Sequence, residues 1–189
     1  NFKPIPNKFE YLNWQEIESI AKEKRSTVIW PFGAVEQHGP HLPLATDSIF
    51  VDDIISEVFK LLPADIPLKK LPTQYIGFSP EHKGFAGTIS LSSNLITSMI
   101  KEVGGQLSEM GFKRLILING HGGQISLLNT AARELRSFSP GMAVFPCFLW
   151  SGVNGLSELL TKTEIEDGLH ASLAETSLML ALKPELVGD

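Results

Sequence analysis

The sequence has little cysteine, few basic residues and no long apolar run, and each shortage excludes a class of protein. Cys147 is the only cysteine among 189 residues, so neither an internal disulfide nor a cysteine-rich zinc ribbon can form. There are 16 basic residues against 21 acidic ones, and the net charge of −5 is unsuited to nonspecific binding of nucleic acid or anionic membranes. No apolar run reaches the ~18 residues that a membrane helix needs. We therefore expect no nucleic-acid or membrane partner, and a cytoplasmic location.

Several catalytic signatures are also missing. The chain has no Gly-x-Ser-x-Gly elbow, no phosphate loop with Gly-Lys-Ser/Thr and no spaced glycine fingerprint for a dinucleotide. These absences argue against serine-hydrolase, nucleotide-hydrolase and dinucleotide-dependent chemistry.

The patterning predicts one α/β domain. Apolar residues at helical spacing predict a helix over 92–110, and the apolar stretch 112–120 predicts a strand of a parallel sheet. Asn13 and Glu16 have capping-box spacing at the start of a surface helix. Strands alternate with helices, which predicts a three-layer α/β/α sandwich around a mostly parallel sheet. The apolar flank of Cys147 predicts a buried thiol.

The stretch "WPFGAVEQHGPHLPLATD", residues 30–47, contains carboxylates and imidazoles but no lysine or arginine. Glu36 and His38 would point to the same side of an extended segment, and Asp47 follows at the start of a helix. Such a group is repulsive unless a cation lies within it, and a mixed nitrogen and oxygen set suits a divalent transition metal. In the alternative, Asp47 only caps the helix, Glu36 and His38 are exposed, and His41 is a loop residue; for His41 we favour the loop.

Two later segments contain further candidates. His121 lies in "NGHGGQ" directly after a predicted strand, where glycines allow a ligand to approach closely; the alternative is a tight turn with an incidental histidine. The segment "HASLAETS" contains His170 and Glu175. Ser172 and Glu175 have capping-box spacing. However, the helix that follows is apolar nearly all round and should be buried, and a buried carboxylate is costly unless it is paired or bound to a metal.

Taken together, these segments resemble the creatininase family (creatinine amidohydrolase and relatives). The matching stretches are "PFGAVEQHGPHLPLATD", "GFSPEHKGFAGTISL", "GFKRLILINGHGGQ" and "HASLAETS", which occur in the family's order between residues 31 and 177. The resemblance implies an α/β/α sandwich, two divalent metal ions per chain and hydrolysis of a non-peptide C–N bond. It also implies a homo-oligomer, often a hexamer. We expect zinc, with manganese and iron as alternatives.

The resemblance also implies a set of metal ligands. One ion would be held by Glu36, Asp47 and His121. The other would be held by His38 and by Asp47, whose carboxylate would bridge the two ions.

The last ligand of the second ion is where this chain departs from creatininase itself. That enzyme has an aromatic residue and a metal-binding glutamate directly after the histidine of "NGH", whereas this chain has Gly122 and Gly123. Glu175 is our candidate for the missing carboxylate. The motif ends in Gln124 instead of asparagine, and Ser172 replaces a glycine. The departure argues against creatinine as the substrate but leaves the hydrolase hypothesis intact.

The implied reaction is attack of a metal-bound hydroxide on a cyclic amide or formamide. His170 would be the general acid for the leaving nitrogen, because imidazoles exchange protons near neutral pH, and Glu175 is the alternative proton shuttle. The loop around residues 79–82 could instead be a solvated surface loop. The residues expected to line the substrate pocket are Ser79, Glu81, His82, Gly122 and Gly123.

Two other functions fit the same sequence. The chain could be a metal-free binding or scaffold protein that kept the fold, or a peptide-trimming hydrolase of cofactor maturation. We expect a single domain over residues 1–189. Since the chain ends soon after "ETS", it is either a compact member of the family or one that lacks a C-terminal segment.

Overall fold

The protein is described from a computed structural model, which describes residues 7–63 and 65–188. Four parallel strands form one sheet in the order β2-β1-β3-β4. These are β1 (Thr27–Phe32), β2 (Leu68–Lys70), β3 (Arg114–Asn119) and β4 (Ala143–Phe148). The chain passes from β1 to β2 on one side and then crosses to β3 on the other. The winding therefore reverses between β1 and β3, and ligands of such sheets bind beyond the strand ends at that point.

Helices alternate with the strands along the chain. Within the described residues they are α1 (Trp14–Ala21), α2 (Thr46–Leu61), α3 (Ser93–Met110), α4 (Ile125–Phe138), α5 (Leu156–Leu159), α6 (Lys162–Asp167) and α7 (Leu173–Leu182). Short 3₁₀ turns lie at Phe9–Tyr11, Pro80–His82, Gly122–Gln124 and Pro184–Leu186. None of these helices is both long and apolar enough to cross a membrane.

The helices cover the sheet from both sides. On one face α1, α3 and α4 pack on alternate strand residues, including Trp30 and Leu117. On the other face α2 packs on Ile29. Outside α2 lies α7, whose Met179 meets Phe50. The predicted three-layer sandwich around a parallel sheet is therefore confirmed.

The start of α1 follows its sequence signal. The Asn13 side chain accepts from the backbone N–H groups of Gln15 and Glu16, and the Glu16 carboxylate accepts from the Asn13 N–H. The predicted capping box is present. It lies far along the chain from the candidate site and is used below as a control.

Two burial predictions are wrong. Cys147 is exposed, because β4 is the last strand of the sheet and only its Val144 side packs on the large core cluster. In α7, Leu173 and Leu180 are each more than half exposed, and only Glu175 and Met179 are buried. The helix is covered by α2 on one side only, so its apolar sequence overstates its burial.

Candidate metal centre

The candidate ligands meet where β1 and β3 end. These strands pair in register up to Phe32 and Asn119, so the loops that follow leave the sheet side by side. The loop after β1 contains Glu36 and His38, and the loop after β3 contains His121.

Asp47 reaches the same place through the first turn of α2. A side chain at Gly33 would come within 2.4 Å of the Ser48 Cα, so glycine is what allows this turn to pack on the end of β1. The Ser48 hydroxyl donates to the Ala34 carbonyl at 3.0 Å. The N-cap of α2 is Ala45, so the alternative in which Asp47 is the cap is wrong. A carboxylate in a first helical turn is favoured by the helix dipole.

The four side chains form a buried cluster. His121 Nδ1 lies 3.2 Å from Glu36 Oε1 and 3.2 Å from Asp47 Oδ2, and His38 Nε2 lies 3.4 Å from Asp47 Oδ1. Each of the four residues is at most 3% exposed. The alternative of a solvent-exposed Glu36 and His38 is therefore excluded. The two oxygens of Asp47 face different histidines, which is the arrangement a bridging carboxylate requires.

Several polar atoms in this cluster have no hydrogen-bond partner among the described residues. Both oxygens of Glu36, His38 Nε2 and Asp47 Oδ2 are buried without a hydrogen-bond partner among the described residues, although histidines stand close by. Burying a carboxylate in this way is costly unless a cation compensates it. Neighbouring ligands of one ion, each bound at about 2.0–2.2 Å, are themselves roughly 3–3.5 Å apart. The donor set and its spacing therefore fit a divalent metal.

The two histidines that face Asp47 have raised pKa values. Burial alone would lower the pKa of His121, but contacts with Asp47 and Glu36 outweigh it and raise the pKa to about 10. Burial also opposes the change at His38, whose pKa is nevertheless raised by Asp47. Despite its own burial, Asp47 has a lowered pKa because His121 and His38 face it. A metal ion would displace those protons.

Backbone carbonyls select the ring tautomers that suit metal binding. His121 Nε2 donates to the Phe78 carbonyl at 3.0 Å, so in the neutral ring the Nδ1 lone pair faces Glu36 and Asp47. His38 Nδ1 donates to the Glu36 carbonyl at 3.3 Å, which leaves the lone pair of Nε2 towards Asp47. A carbonyl partner on the remote nitrogen is typical of metal-binding histidines.

Glu175 was predicted both to close a capping box and to be a buried acid near the metal ligands, and it has both positions. Its carboxylate accepts from the Ser172 N–H at 3.2 Å, and the Ser172 hydroxyl accepts from the Glu175 N–H at 3.3 Å, so the capping box exists. Ligand atoms of His38, His170 and Glu175 also lie within 4.8 Å of one another. Burial raises the pKa of Glu175.

His170 stands at the edge of the cluster. Its Nε2 donates to the Gln37 carbonyl at 2.7 Å, and its Nδ1 lies 3.9 Å from Glu36 Oε1. Its ring contacts the rings of His38 and His82, with both centroid distances 4.3 Å. His41, by contrast, lies outside the cluster and contacts the Thr176 hydroxyl at 2.7 Å, as expected for a loop residue.

The segment around residues 79–82 is only partly exposed to solvent. Ser79 is fully buried beneath His121, with its hydroxyl 3.3 Å from Nε2. The His82 side chain is 15% exposed and that of Glu81 is 41% exposed. Glu81 and His82 line one cavity together with Gly122 and Gly123, whereas Ser79 does not line it.

The cavity above the cluster has a volume of about 640 Å³. Its rim and wall contain apolar side chains that the sequence analysis missed, among them Ile125, Phe148, Trp150, Leu156, Leu160 and Leu169. Several of these come from α5, α6 and their flanks, which were not predicted. The Thr161 hydroxyl accepts from the Glu164 N–H at the start of α6, and that capping pattern was the available signal. Among residues 7–63 and 65–188, no lysine or arginine lines the cavity.

Comparison with known proteins points to one family. The family model described as creatininase (creatinine amidohydrolase) matches residues 10–189. A mycofactocin precursor peptide peptidase from Mycobacterium tuberculosis (strain CDC 1551 / Oshkosh) is 33% identical over 84% of this chain and 59% of its own length. The chain therefore spans about three fifths of that relative.

Two further relatives are similar over more of their length. A creatinine amidohydrolase from Pseudomonas putida is 28% identical over 93% of this chain and 72% of its own. The solved structure titled "Creatininase Mn" superposes with a TM-score of 0.79 at 27% identity, covering 97% of this chain and 75% of that one.

Proposed function

Because the chain belongs to the creatininase family, we propose that it is a divalent-metal-dependent hydrolase of an amide C–N bond. The observation that carries the proposal is the buried group of Glu36, His38, Asp47 and His121, in which three carboxylate oxygens have no hydrogen-bond partner among the described residues. The similarity to the solved structure "Creatininase Mn", whose name includes manganese, supports a divalent ion.

We assign two ions per chain. The first would be held by Glu36 Oε1, Asp47 Oδ2 and His121 Nδ1, and this nitrogen lies 3.2 Å from each of the two oxygens. The second would be held by His38 Nε2, Asp47 Oδ1 and Glu175. Zinc is our first expectation, with manganese and iron as alternatives, because imidazole and carboxylate ligands suit all three.

When bound, the ions would lower the pKa of a coordinated water and polarise the amide carbonyl. The chain's own residues would handle the proton. Attack by water breaks the C–N bond, leaves a carboxylic acid and requires one proton to reach the departing nitrogen. His170 borders the cavity and is our general acid; the Glu175 carboxyl is the alternative if it is not a ligand.

The first substrate class we propose is a cyclic amide or formamide. Glu81, His82, Gly122 and Gly123 line the cavity and would contact such a substrate. With glycines at 122 and 123, the cavity has no side chain at those positions to contact a small ring. Creatinine should therefore be a poor substrate.

The second substrate class is a peptide amide. It is favoured by the apolar wall of a cavity of about 640 Å³, which can take an amino-acid side chain, and by the similarity to the mycofactocin precursor peptide peptidases. We further propose that the active species is a homo-oligomer, with a hexamer as the first expectation.

The test combines metal analysis with a substrate screen. Purified protein is reconstituted separately with Zn²⁺, Mn²⁺ and Fe²⁺, and bound metal is measured by elemental analysis. Cyclic amides, formamides, creatinine and short peptides with apolar residues are then assayed for a released amine. We expect up to two ions per chain and turnover of one amide class. A folded protein that retains no metal would overturn the proposal in favour of a scaffold role.

A further inference from the structure

Glu81 approaches the same imidazole as Glu36 and Asp47, and one of its carboxylate oxygens lies within 4.8 Å of an oxygen of Glu36. Its Oε1 lies 3.2 Å from His121 Nε2, whereas Glu36 and Asp47 face Nδ1 of the same ring. The imidazole therefore stands between carboxylates on both of its nitrogens. The Phe78 carbonyl shares the Nε2 side at 3.0 Å.

The contact exists only because residue 123 is glycine. A Cβ at Gly123 would fall 1.8 Å from Glu81 Oε1 and 2.6 Å from His121 Nε2. At Gly122 a Cβ would meet nothing within 4 Å. Neither residue has the positive φ that would by itself demand glycine. One glycine of the pair thus makes room for the Glu81 carboxylate and the other does not.

The segment that carries Glu81 is fixed to the His121 loop. The Phe78 N–H donates to Gln124 Oε1 at 3.1 Å, and Gln124 Nε2 donates to Asn119 Oδ1 at 3.0 Å. Asn119 in turn accepts from the His121 N–H at 3.0 Å. These bonds lie between the 3₁₀ turn of Glu81 and the loop of His121, so the carboxylate is held near the ring by the fold.

We propose that Glu81 is a positioning residue that acts on the metal through His121. The Phe78 carbonyl accepts from Nε2–H, and the negative charge of Glu81, 3.2 Å from the same nitrogen, strengthens its effect. Together they keep Nδ1 turned towards Glu36 and Asp47 and make that nitrogen a stronger donor. The inference rests on the proposed function, because it takes His121 as a metal ligand. It goes beyond the substrate contact proposed above, because loss of a substrate contact alone would change KM and leave metal affinity unaltered.

The experiment measures the Zn²⁺ dissociation constant by competition with a chelator. The variants are Glu81→Ala, Glu81→Gln, Gly123→Ala and the double variant Glu81→Ala/Gly123→Ala, with Gly122→Ala as the matched control. Loss of such a carboxylate partner typically weakens metal binding about 10–100-fold. We expect that loss for Glu81→Ala and for Gly123→Ala. The loss should be smaller for Glu81→Gln, since a polar amide remains beside Nε2 although the negative charge is gone. Gly122→Ala should bind Zn²⁺ as the wild type does.

The double variant tests the route of the effect. If Gly123→Ala acts by expelling the carboxylate, adding it to Glu81→Ala should cause no further loss. A second readout is ¹⁵N NMR of the metal-free protein, in which the His121 ring signals should change in Glu81→Ala. If Gly123→Ala does not fold, the Zn²⁺ affinity of Glu81→Ala alone tests the inference.

The outcomes separate the two proposals. Wild-type protein that binds none of Zn²⁺, Mn²⁺ and Fe²⁺ would overturn the proposed function, and this inference with it. Wild-type protein that binds Zn²⁺, together with a Glu81→Ala variant of equal affinity, would overturn this inference alone. Additive losses in the double variant would also count against it, because residue 123 would then act without Glu81.

Discussion

The two halves of the candidate centre are built from different parts of the fold. Glu36, Asp47 and His121 adjoin two central strands that pair in register, and all three are almost completely buried. His170 and Glu175 arrive after β4 and the short helices α5 and α6, and the His170 side chain is 28% exposed. One half is thus part of the core, and the other depends on where the last helix docks.

The docking of α7 rests on a small core cluster and on polar contacts. Met179 packs with Phe50 of α2, and Thr176 contacts His41 of the first loop. The first half should therefore be preformed before metal binds, while the second can loosen by itself. Because one half is buried in the core and the other depends on α7, the two proposed ions should bind with different affinities. The substitutions below test this expectation.

The largest effect should come from Asp47→Ala, because Asp47 is the one residue that we assign to both ions. We expect both ions to be lost and kcat/KM to fall by about a thousand-fold or more, on the order of 4 kcal/mol in the activation free energy. Elemental analysis and a turnover assay measure the two results.

Asp52→Ala is the matched control, because Asp52 lies on the same helix but pairs with Lys70 at 2.6 Å. It should keep both ions. Retention of two ions by Asp47→Ala would show that the halves do not share this residue.

Glu175→Gln should separate the halves. We expect the variant to keep the ion at Glu36 and His121, to lose most of the other and to lose nearly all turnover, since the chemistry we propose needs both ions. Loss of the capping interaction of Glu175 should lower the free energy of unfolding by at most ~1 kcal/mol.

Glu16→Gln is the control, because Glu16 closes an equivalent capping box on α1. It should have a similar effect on stability and none on metal content. If Glu175→Gln binds two ions with wild-type affinity and remains active, Glu175 is a cap only.

The pH dependence of the metal-free protein tests the buried half. In the folded chain the pKa of His121 is raised to about 10, against ~6.5 for an unfolded histidine. The stabilisation from its protonation is complete below pH ~6.5 and is lost as pH rises through about 10. Chemical unfolding between pH 6 and 10 should therefore show a decline without metal. The Zn²⁺-loaded protein should not show the part of this decline that comes from His121. Identical pH profiles of the unfolding free energy with and without Zn²⁺ would contradict the prediction.

The smallest effect should come from His41→Ala. This change removes the 2.7 Å contact with Thr176 and should cost about 1 kcal/mol of unfolding free energy. Metal content should not change, because His41 lies outside the cluster. Loss of the second ion alone would show that the docking of α7 is even weaker than the contacts suggest.

The sequence predicted the parts of the site that neighbour strand ends. Glu36, His38 and His121 could be placed because loops that follow adjacent parallel strands must meet. Asp47 could be placed only as far as the start of α2. It lies two residues after the N-cap, Ala45, and the sequence did not distinguish these two positions. For Glu175, spacing indicated a cap and the apolar helix indicated a buried acid, and both hold.

Other features depend on long-range packing that a local pattern cannot encode. The apolar wall of the cavity uses α5 and α6, which are too short to show a clear period. Cys147 has an apolar flank, yet its exposure is decided by the position of β4 at the end of the sheet. The approach of Glu81 to His121 joins residues 40 positions apart through a gap at Gly123.

Gln124 links the loops of the site in a way that has a consequence for how the protein opens. Its single buried amide accepts from the Phe78 N–H and donates to the Gly33 carbonyl and to Asn119 Oδ1. No one of these loops can detach without breaking the bonds of the others. In amide hydrogen exchange they should therefore behave as one cooperative unit, with the Phe78 and Gly120 amide protons exchanging at a common opening free energy.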